Sequence, residues 1–343
     1  MPDPLRTPVV VIAFNRPDVT RRNLDALRRV RPERLFVVAD GPRPDRPEEA
    51  ARIAEVRRLL DGVDWPCRVE RRFADRNLGL EANVELGLDW VFAQVPRAIV
   101  LEDDCIPDPS FFAYCEELLD RYDADPRVWL LAGDNHHVPR ELFGEASYAF
   151  TSWASVWGWA TWADRWHRHR SSFDRDHAGA EDRVQQVPRT APAHRVRPVV
   201  PHADALATDA ARKHFTFVAG EEDGDAYGWD HHFWVTIMSE GGLCATPAYN
   251  MVVNDGYGEG ATHTRAAKEP QPAEAMPMPL VHPREVALDP AVEAELELVL
   301  LRTDGRLSRL ARKVIRPLWL RAAVRKVITQ PLVWRFVRRL VAR

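Results

Sequence analysis

The stretch AIVLEDDCIPDPSFF, Ala98 to Phe112, sets three acids, Glu102, Asp103 and Asp104, directly behind a run of four apolar residues and then turns into a proline-rich corner. A short, wholly apolar run predicts a strand buried on both faces, which belongs in a parallel sheet covered by helices on each side. The same reading extends to VVVIAF (9–14), LFVVA (35–39), VWLLAG (128–133) and the charge-bearing CRVERRF (67–73). Helix-period segments lie between them. Leu80, Val84, Leu88 and Val91 form one stripe, and Val19, Asn23, Leu24 and Leu27 form another after Pro17. Asp108 is placed to cap a helix starting at Pro109. The expected fold class is therefore α/β, a Rossmann-like, mostly parallel sheet with flanking helices.

The chain has 343 residues and a formal net charge of -4. That balance conceals an asymmetry: Arg306 to Arg343 holds twelve Lys and Arg and no Asp or Glu. An acidic body argues against a nucleic-acid surface. Leu307, Leu310, Ala311, Val314 and Ile315 fall on one helical face, so 305–343 is expected to form a basic amphipathic helical tail, with Trp319 and Trp334 as interfacial anchors. An anionic membrane surface, a partner subunit or the protein's own acidic body would each attract it. Cys67, Cys105, Cys115 and Cys244 are too scattered for a disulfide framework and suit free thiols. MPDPLRT leads directly into the first strand without a charged leader or apolar core, so a cytoplasmic location is expected, with the membrane's inner face as an option through the tail.

The second half reads differently. YAFTSWASVWGWATWADRWHRHR (148–170) contains five tryptophans, most simply read as core. Residues 171–228 read as a variable excursion over the active face, and GWDHHFWVTIMSEGG as a helix with Phe233, Ile237 and Met238 on one side. LCATPAYNMVVNDGYGEGATHT suggests a short strand and a Gly-rich loop. Residues 270–304 form a Pro-rich strap or linker with a short helix, dividing a catalytic domain at 1–269 from the tail at 305–343.

The segment after the first strand excludes several chemistries. FNRPDVTRRNL has neither G-x-G-x-x-G nor a phosphate-cradling G-x-x-x-x-G-K. A ligand could still sit at the carboxyl ends of the strands, with Arg16 available to a phosphate or ring and Asp40 to a base or ribose. The acidic triplet reads either as a solvated turn or as a Mg²⁺ or Mn²⁺ site in which one or two carboxylates are supplemented by substrate phosphates. His136/His137 and His231/His232 lack the i, i+4 spacing that zinc would favour on one helix face. Asp230, flanked by Trp229 and Phe233, reads as a desolvated general base with a raised pKa, or as a helix cap.

Taken in order, VVVIAFNRP, VVADGP, NLGL, VLEDDCIPDPSFFAYC, VWGWATW, WDHHFW and YNMVVNDGYGEGATHT resemble nucleotide-sugar-dependent glycosyltransferases of the GT-A fold over residues 8 to 265. The resemblance is to bacterial members sharing a pattern with N-acetylglucosaminyltransferase I. It implies that Asp104 holds a divalent metal, Mn²⁺ or Mg²⁺, and that Asp103 lies near the ribose, with Glu102 in support. It implies nucleotide-sugar contacts for Arg16, Asp40 and Asn77, and a donor-sugar wall at Gly158 and Trp159. Asp230 becomes the base of an inverting displacement. His263, in a loop matching one that closes over the phosphates, becomes a metal or phosphate ligand. The implied partners are a nucleotide-diphosphate sugar, UDP-linked by preference, and a glycan or lipid-linked acceptor in cell-envelope or other glycoconjugate synthesis. Two alternatives stay open: a nucleotidyltransferase, against which the absence of glycine from FNRPDVTRR counts, and a non-catalytic, membrane-associated sugar-binding scaffold.

Overall fold

The structure, a computed structural model, describes residues 4–174, 228–256 and 272–301. The chain divides into two units, Met1–Leu296 and Glu297–Arg343. The sheet and the helices that cover it belong to the first; most of the excursion, the loop bearing His263 and the basic tail lie outside the described residues.

Four strand–helix steps and a closing strand build the first part: β1 (Val9–Ala13), α1 (Pro17–Val30), β2 (Arg34–Ala39), α2 (Glu49–Asp61), β3 (Arg68–Phe73), α3 (Leu80–Phe92), β4 (Arg97–Glu102), β5 (Cys105–Pro107), α4 (Pro109–Arg121) and β6 (Val128–Ala132). Then come β7 (Tyr148–Thr151), β8 (Trp159–Trp162), α5 (Ala163–Asp174), α6 (Trp229–Ser239), β9 (Leu243–Pro247), β10 (Val252–Asn254) and α7 (Pro290–Leu301). Among the described residues the main sheet has eight strands in the order β3-β2-β1-β4-β8-β6-β9-β7, and β5 pairs with β10 alone.

Alternation along the strands explains why the apolar runs are unbroken. Val9, Val11, Leu35, Val37, Ile99 and Leu101 join Leu24, Leu27, Val56, Leu60, Phe111 and Leu118 on one side. Val10, Ile12, Phe36, Val38, Ala98 and Val100 join Val84, Leu88, Val91, Trp166, Phe233 and Ile237 on the other. Each fully buried Val, Leu, Ile or Phe contributes roughly 1.5–3 kcal/mol, so the two faces together fix the sheet. Asp108 caps α4 as its position suggests, accepting from Ser110 N at 2.9 Å.

The strand order places the ligand edge. From β1 the chain steps outward to β2 and β3, then returns to lay β4 on the other side of β1, in parallel with it. That reversal opens a crevice at the carboxyl ends of β1 and β4, the place where open α/β sheets bind ligands.

Four local expectations change. CRVERRF supplies the sheet edge rather than a strand buried on both faces: β3 is only partly buried, and its charges suit an unpaired edge. Leu80, assigned to the apolar stripe of α3, is exposed at the helix start. WATW, read as core tryptophan and, at Trp159, as sugar wall rather than as a strand, forms β8 in mid-sheet, antiparallel to both β4 and β6. The proline-rich strap is packed rather than linker-like. Met276 and Leu280 are buried, Met276 N donates to Ser110 Oγ at 2.8 Å, and Ser147 and Val281 exchange bonds. Buried Glu293 of α7 accepts from Ser152 N at 2.9 Å, so the body extends past residue 269.

Candidate active site

Arg16 follows β1 and the triplet closes β4, so the switch point brings them together. Arg16 Nη2 lies 2.5 Å from Asp103 Oδ1 and Nη1 lies 2.9 Å from Asp104 Oδ2. Phe14 N donates to Asp103 Oδ2 at 3.3 Å, and Asp103 N donates to Ile12 O at 2.8 Å, prolonging the β1–β4 ladder into the turn. Burial alone would lower the Arg16 guanidinium, but Asp103 and Asp104 outweigh it and hold it above its ordinary value. Burial pushes Asp103 up to about 6, against the pull of Arg16. It pushes Glu102 up to about 8, with Asp104, Asp103 and Asp230 adding repulsion. One guanidinium thus faces three carboxyl groups, which is the charge imbalance a divalent cation would correct.

Asn23 is a participant that the sequence concealed inside the apolar stripe of α1. Fully buried, its Nδ2 donates to Cys105 O at 2.8 Å and to Glu102 O at 3.2 Å, pinning both ends of the acidic turn. Its signal was a polar residue at a core-facing position. On the other side Asp255 N donates to Asp104 O at 2.9 Å. At Gly256 a Cβ would overlap Asp104 Oδ2, so only glycine can pack this closely against that carboxylate oxygen. Asp104, with two backbone segments folded around it and glycine beside its oxygen, fits a cation ligand; His263 lies outside the described residues.

Asp40 and Asn77 come together, but largely by bonding to each other. Asp40 Oδ1 accepts from Gly41 N and Leu78 N, both at 2.8 Å. Its Oδ2 accepts from Asn77 Nδ2 at 2.8 Å and Gly79 N at 3.1 Å. Burial raises its pKa while these N–H groups oppose the rise. The pair therefore holds the NLG turn closed at the end of β2, with both Asp40 carboxylate oxygens already bonded within the protein.

Gly158 adopts φ +68, and a Cβ there would meet Val252 Cγ2 at 2.8 Å, so the close approach is to β10. Trp159 points the opposite way along β8: fully buried, it packs against Trp229 (5.8 Å) and Phe233 (5.5 Å). It has no surface to offer a sugar, and its half-buried neighbour Trp157 is the indole at the edge.

Asp230 sits in the first turn of α6, where Gly228 is the N-cap. Its side chain is 39% exposed and lies 3.3 Å from His231 Nδ1. Burial acts to raise its pKa, but the His231 hydrogen bond and charge prevail and leave it below the ordinary value, contrary to the raised value expected of an aspartate among aromatics. Further along α6, buried His232 has Nδ1 3.0 Å from Glu81 Oε1. Glu81, Glu85 and His232 present ligand atoms within 4.8 Å of one another, an arrangement invisible in the histidine spacing because the carboxylates come from α3. Arg170 Nη1 already lies 2.7 Å from Glu85 Oε2 and supplies that cluster with positive charge.

Residues 9–135 match the sequence model of Glycosyl transferase family 2. That span contains β1, the switch point and the acidic turn, and the match supports a glycosyltransferase of the GT-A fold. No curated protein matches it. Among solved structures it is similar to 4-diphosphocytidyl-2C-methyl-D-erythritol synthase from Anaerococcus prevotii, at 8% identity and TM-score 0.29 over 49% of this chain and 78% of that one. A UDP-glucose pyrophosphorylase complexed with UDP-glucose is similar at 9% identity and TM-score 0.26, over 44% of this chain and 65% of that one. Among the described residues no helix is long and apolar enough to cross a membrane.

Proposed function

We propose that the protein is a metal-dependent, inverting transferase that moves a sugar from a nucleotide-diphosphate donor, UDP-linked by preference, to a hydroxyl of a glycan or lipid-linked acceptor. The observation that carries this reading is Arg16 bound to both Asp103 and Asp104 at the switch point, with Asp230 close enough to repel the Glu102 carboxylate. A divalent cation on Asp104 would neutralise the charge that develops on the departing diphosphate. Arg16 adds a fixed positive charge beside the same group.

Asp230 stands ionised at neutral pH and accepts the acceptor hydroxyl's proton as that oxygen attacks the anomeric carbon. The bond from carbon to diphosphate oxygen breaks with its electron pair leaving on the diphosphate. Because Asp230 is a weak base, transfer of the proton follows the rise in acidity that accompanies C–O bond formation. Synthesis of an envelope or other glycoconjugate at the cytoplasmic face of the membrane would suit this chemistry.

A donor screen by mass spectrometry with Mn²⁺, reading slow donor hydrolysis in the wild type and Asp104→Ala, tests the reading. Hydrolysis lost on substitution supports it; no turnover of any nucleotide sugar, or equal turnover by the variant, rejects it. Asp230→Asn should keep donor binding and lose transfer.

A further inference from the structure

The loop after β6, GDNHH, ends on the same sheet edge as the acidic turn, because β6 and β4 both run antiparallel to the intervening β8. Gly133 N donates to Gly158 O at 2.8 Å, and Met251 N donates to Gly133 O at 2.9 Å just before β10 pairs with β5. Within this loop His136 and His137 take φ values of 49 and 65, consecutive left-handed residues, neither of them glycine. Each such residue costs roughly 1–2 kcal/mol, and strain of this kind persists where surroundings enforce it, commonly at ligand sites.

Here the surroundings are specific. Asp134 is buried to 1% exposure; its Oδ1 accepts from Ser155 Oγ and its Oδ2 lies 3.1 Å from His136 Nδ1. The His136 contact is one of proximity, outside hydrogen-bond geometry, and it leaves His136 Nε2 as the ring's other polar atom, able to donate or to accept. The imidazole also meets the edge of Trp157, centroids 5.0 Å apart, and both rings keep partial solvent exposure. A partly exposed indole beside an imidazole nitrogen matches a pyranose, which pairs an apolar C–H face with directional hydroxyls.

We infer that His136, held beside Asp134, and Trp157 form a sugar subsite of the transferase: Nε2 hydrogen-bonds a ring hydroxyl while the indole covers the C–H face. Asp134 and Ser155 are positioning residues. The inference rests on the transferase reading, and the sugar could belong to the donor or to the acceptor.

The test compares UDP, the UDP-sugar that the wild type hydrolyses and the acceptor across wild type, His136→Asn and Trp157→Ala. Asparagine tolerates the left-handed backbone and keeps a polar group beside Asp134, but places nothing at Nε2, so the fold survives and a thermal melt verifies it. Expected is UDP affinity unchanged within about twofold, with about a tenfold rise either in the UDP-sugar Kd (donor sugar) or in the acceptor KM (acceptor sugar), which corresponds to one lost interaction of about 1.4 kcal/mol. Unchanged UDP-sugar Kd and acceptor KM in folded variants overturn the subsite while leaving the transferase standing. Equal weakening of UDP and UDP-sugar overturns it too, by placing the loop at the nucleotide. A wild type that binds neither UDP nor any UDP-sugar removes both readings.

Discussion

Arg16 Nη1 lies 2.9 Å from Asp104 Oδ2, the oxygen against which Gly256 packs too closely for any side chain. A single guanidinium therefore bridges the two aspartates and touches the carboxylate assigned to the cation. Its removal leaves Asp103 and Asp104 without their nearest positive charge. Arg16→Gln should weaken UDP binding by about tenfold or more, since a hydrogen bond to a charged group is worth about 1.5–3 kcal/mol. Isothermal titration calorimetry at saturating Mn²⁺ checks it; unaltered affinity would leave Arg16 a purely structural partner of the acids.

Glu102 and Asp103 make the stability of the cation-free protein depend on pH in an unusual sense. Glu102 rises from an ordinary 4.5 to about 8, and Asp103 from 3.8 to about 6. Between the unfolded and folded values the native state binds more protons than the unfolded chain, so its stability falls as pH rises. The Asp103 contribution is present below about pH 4 and fades by about 6; that of Glu102 fades between about 4.5 and 8. Melts in chelator should therefore show decreasing stability from these two groups from pH 5 to pH 8. Mn²⁺, by favouring the ionised carboxylates, should stabilise the protein more at pH 8 than at pH 5. A chelated protein that gains stability steadily toward pH 8 would contradict this account of the acidic turn.

Asn23 ties α1 to both ends of that turn from a fully buried position. Asn23→Leu leaves Glu102 O and Cys105 O without this donor, at a cost of about 1–3 kcal/mol per orphaned group. Urea unfolding should register the loss, and Mn²⁺ affinity should fall with it because Asp104 is no longer held in place.

Gly158→Ala combines a left-handed backbone with a methyl placed 2.8 Å from Val252 Cγ2. Strain and overpacking of about 1–3 kcal/mol each apply, so the melting midpoint should drop by several degrees. β10 carries Val252 and leads to Asp255, so the same variant should bind nucleotide less well even at temperatures where it remains folded.

Much of the fold was written into the sequence. VVVIAF, LFVVA and AIVLE are apolar on both faces because helices cover both faces, and Pro17 and Asp108–Pro109 mark helix starts that local backbone chemistry enforces. CRVERRF resembled its neighbours in position but carries edge charges, and WATW was silent because an antiparallel strand of four residues has too short a period to declare itself. The residue types of the site, Arg16, the triplet and Asp230, were also legible.

Their relations were not. Arg16 and Asp103 are 87 residues apart, and only the reversal of strand order between β1 and β4 brings guanidinium and carboxylates together. Trp157 precedes β8 and Trp159 begins it, so which of them is buried was decided only by the packing of Trp159 against Trp229 and Phe233 of α6. Asp230 falls below its ordinary pKa because the turn of α6 places His231 beside it. The AIVLEDD stretch alone determined that charge would cluster at a buried strand end; packing of distant segments decided how that charge is shared. Electrostatic energies follow distances and burial, and tertiary structure sets both.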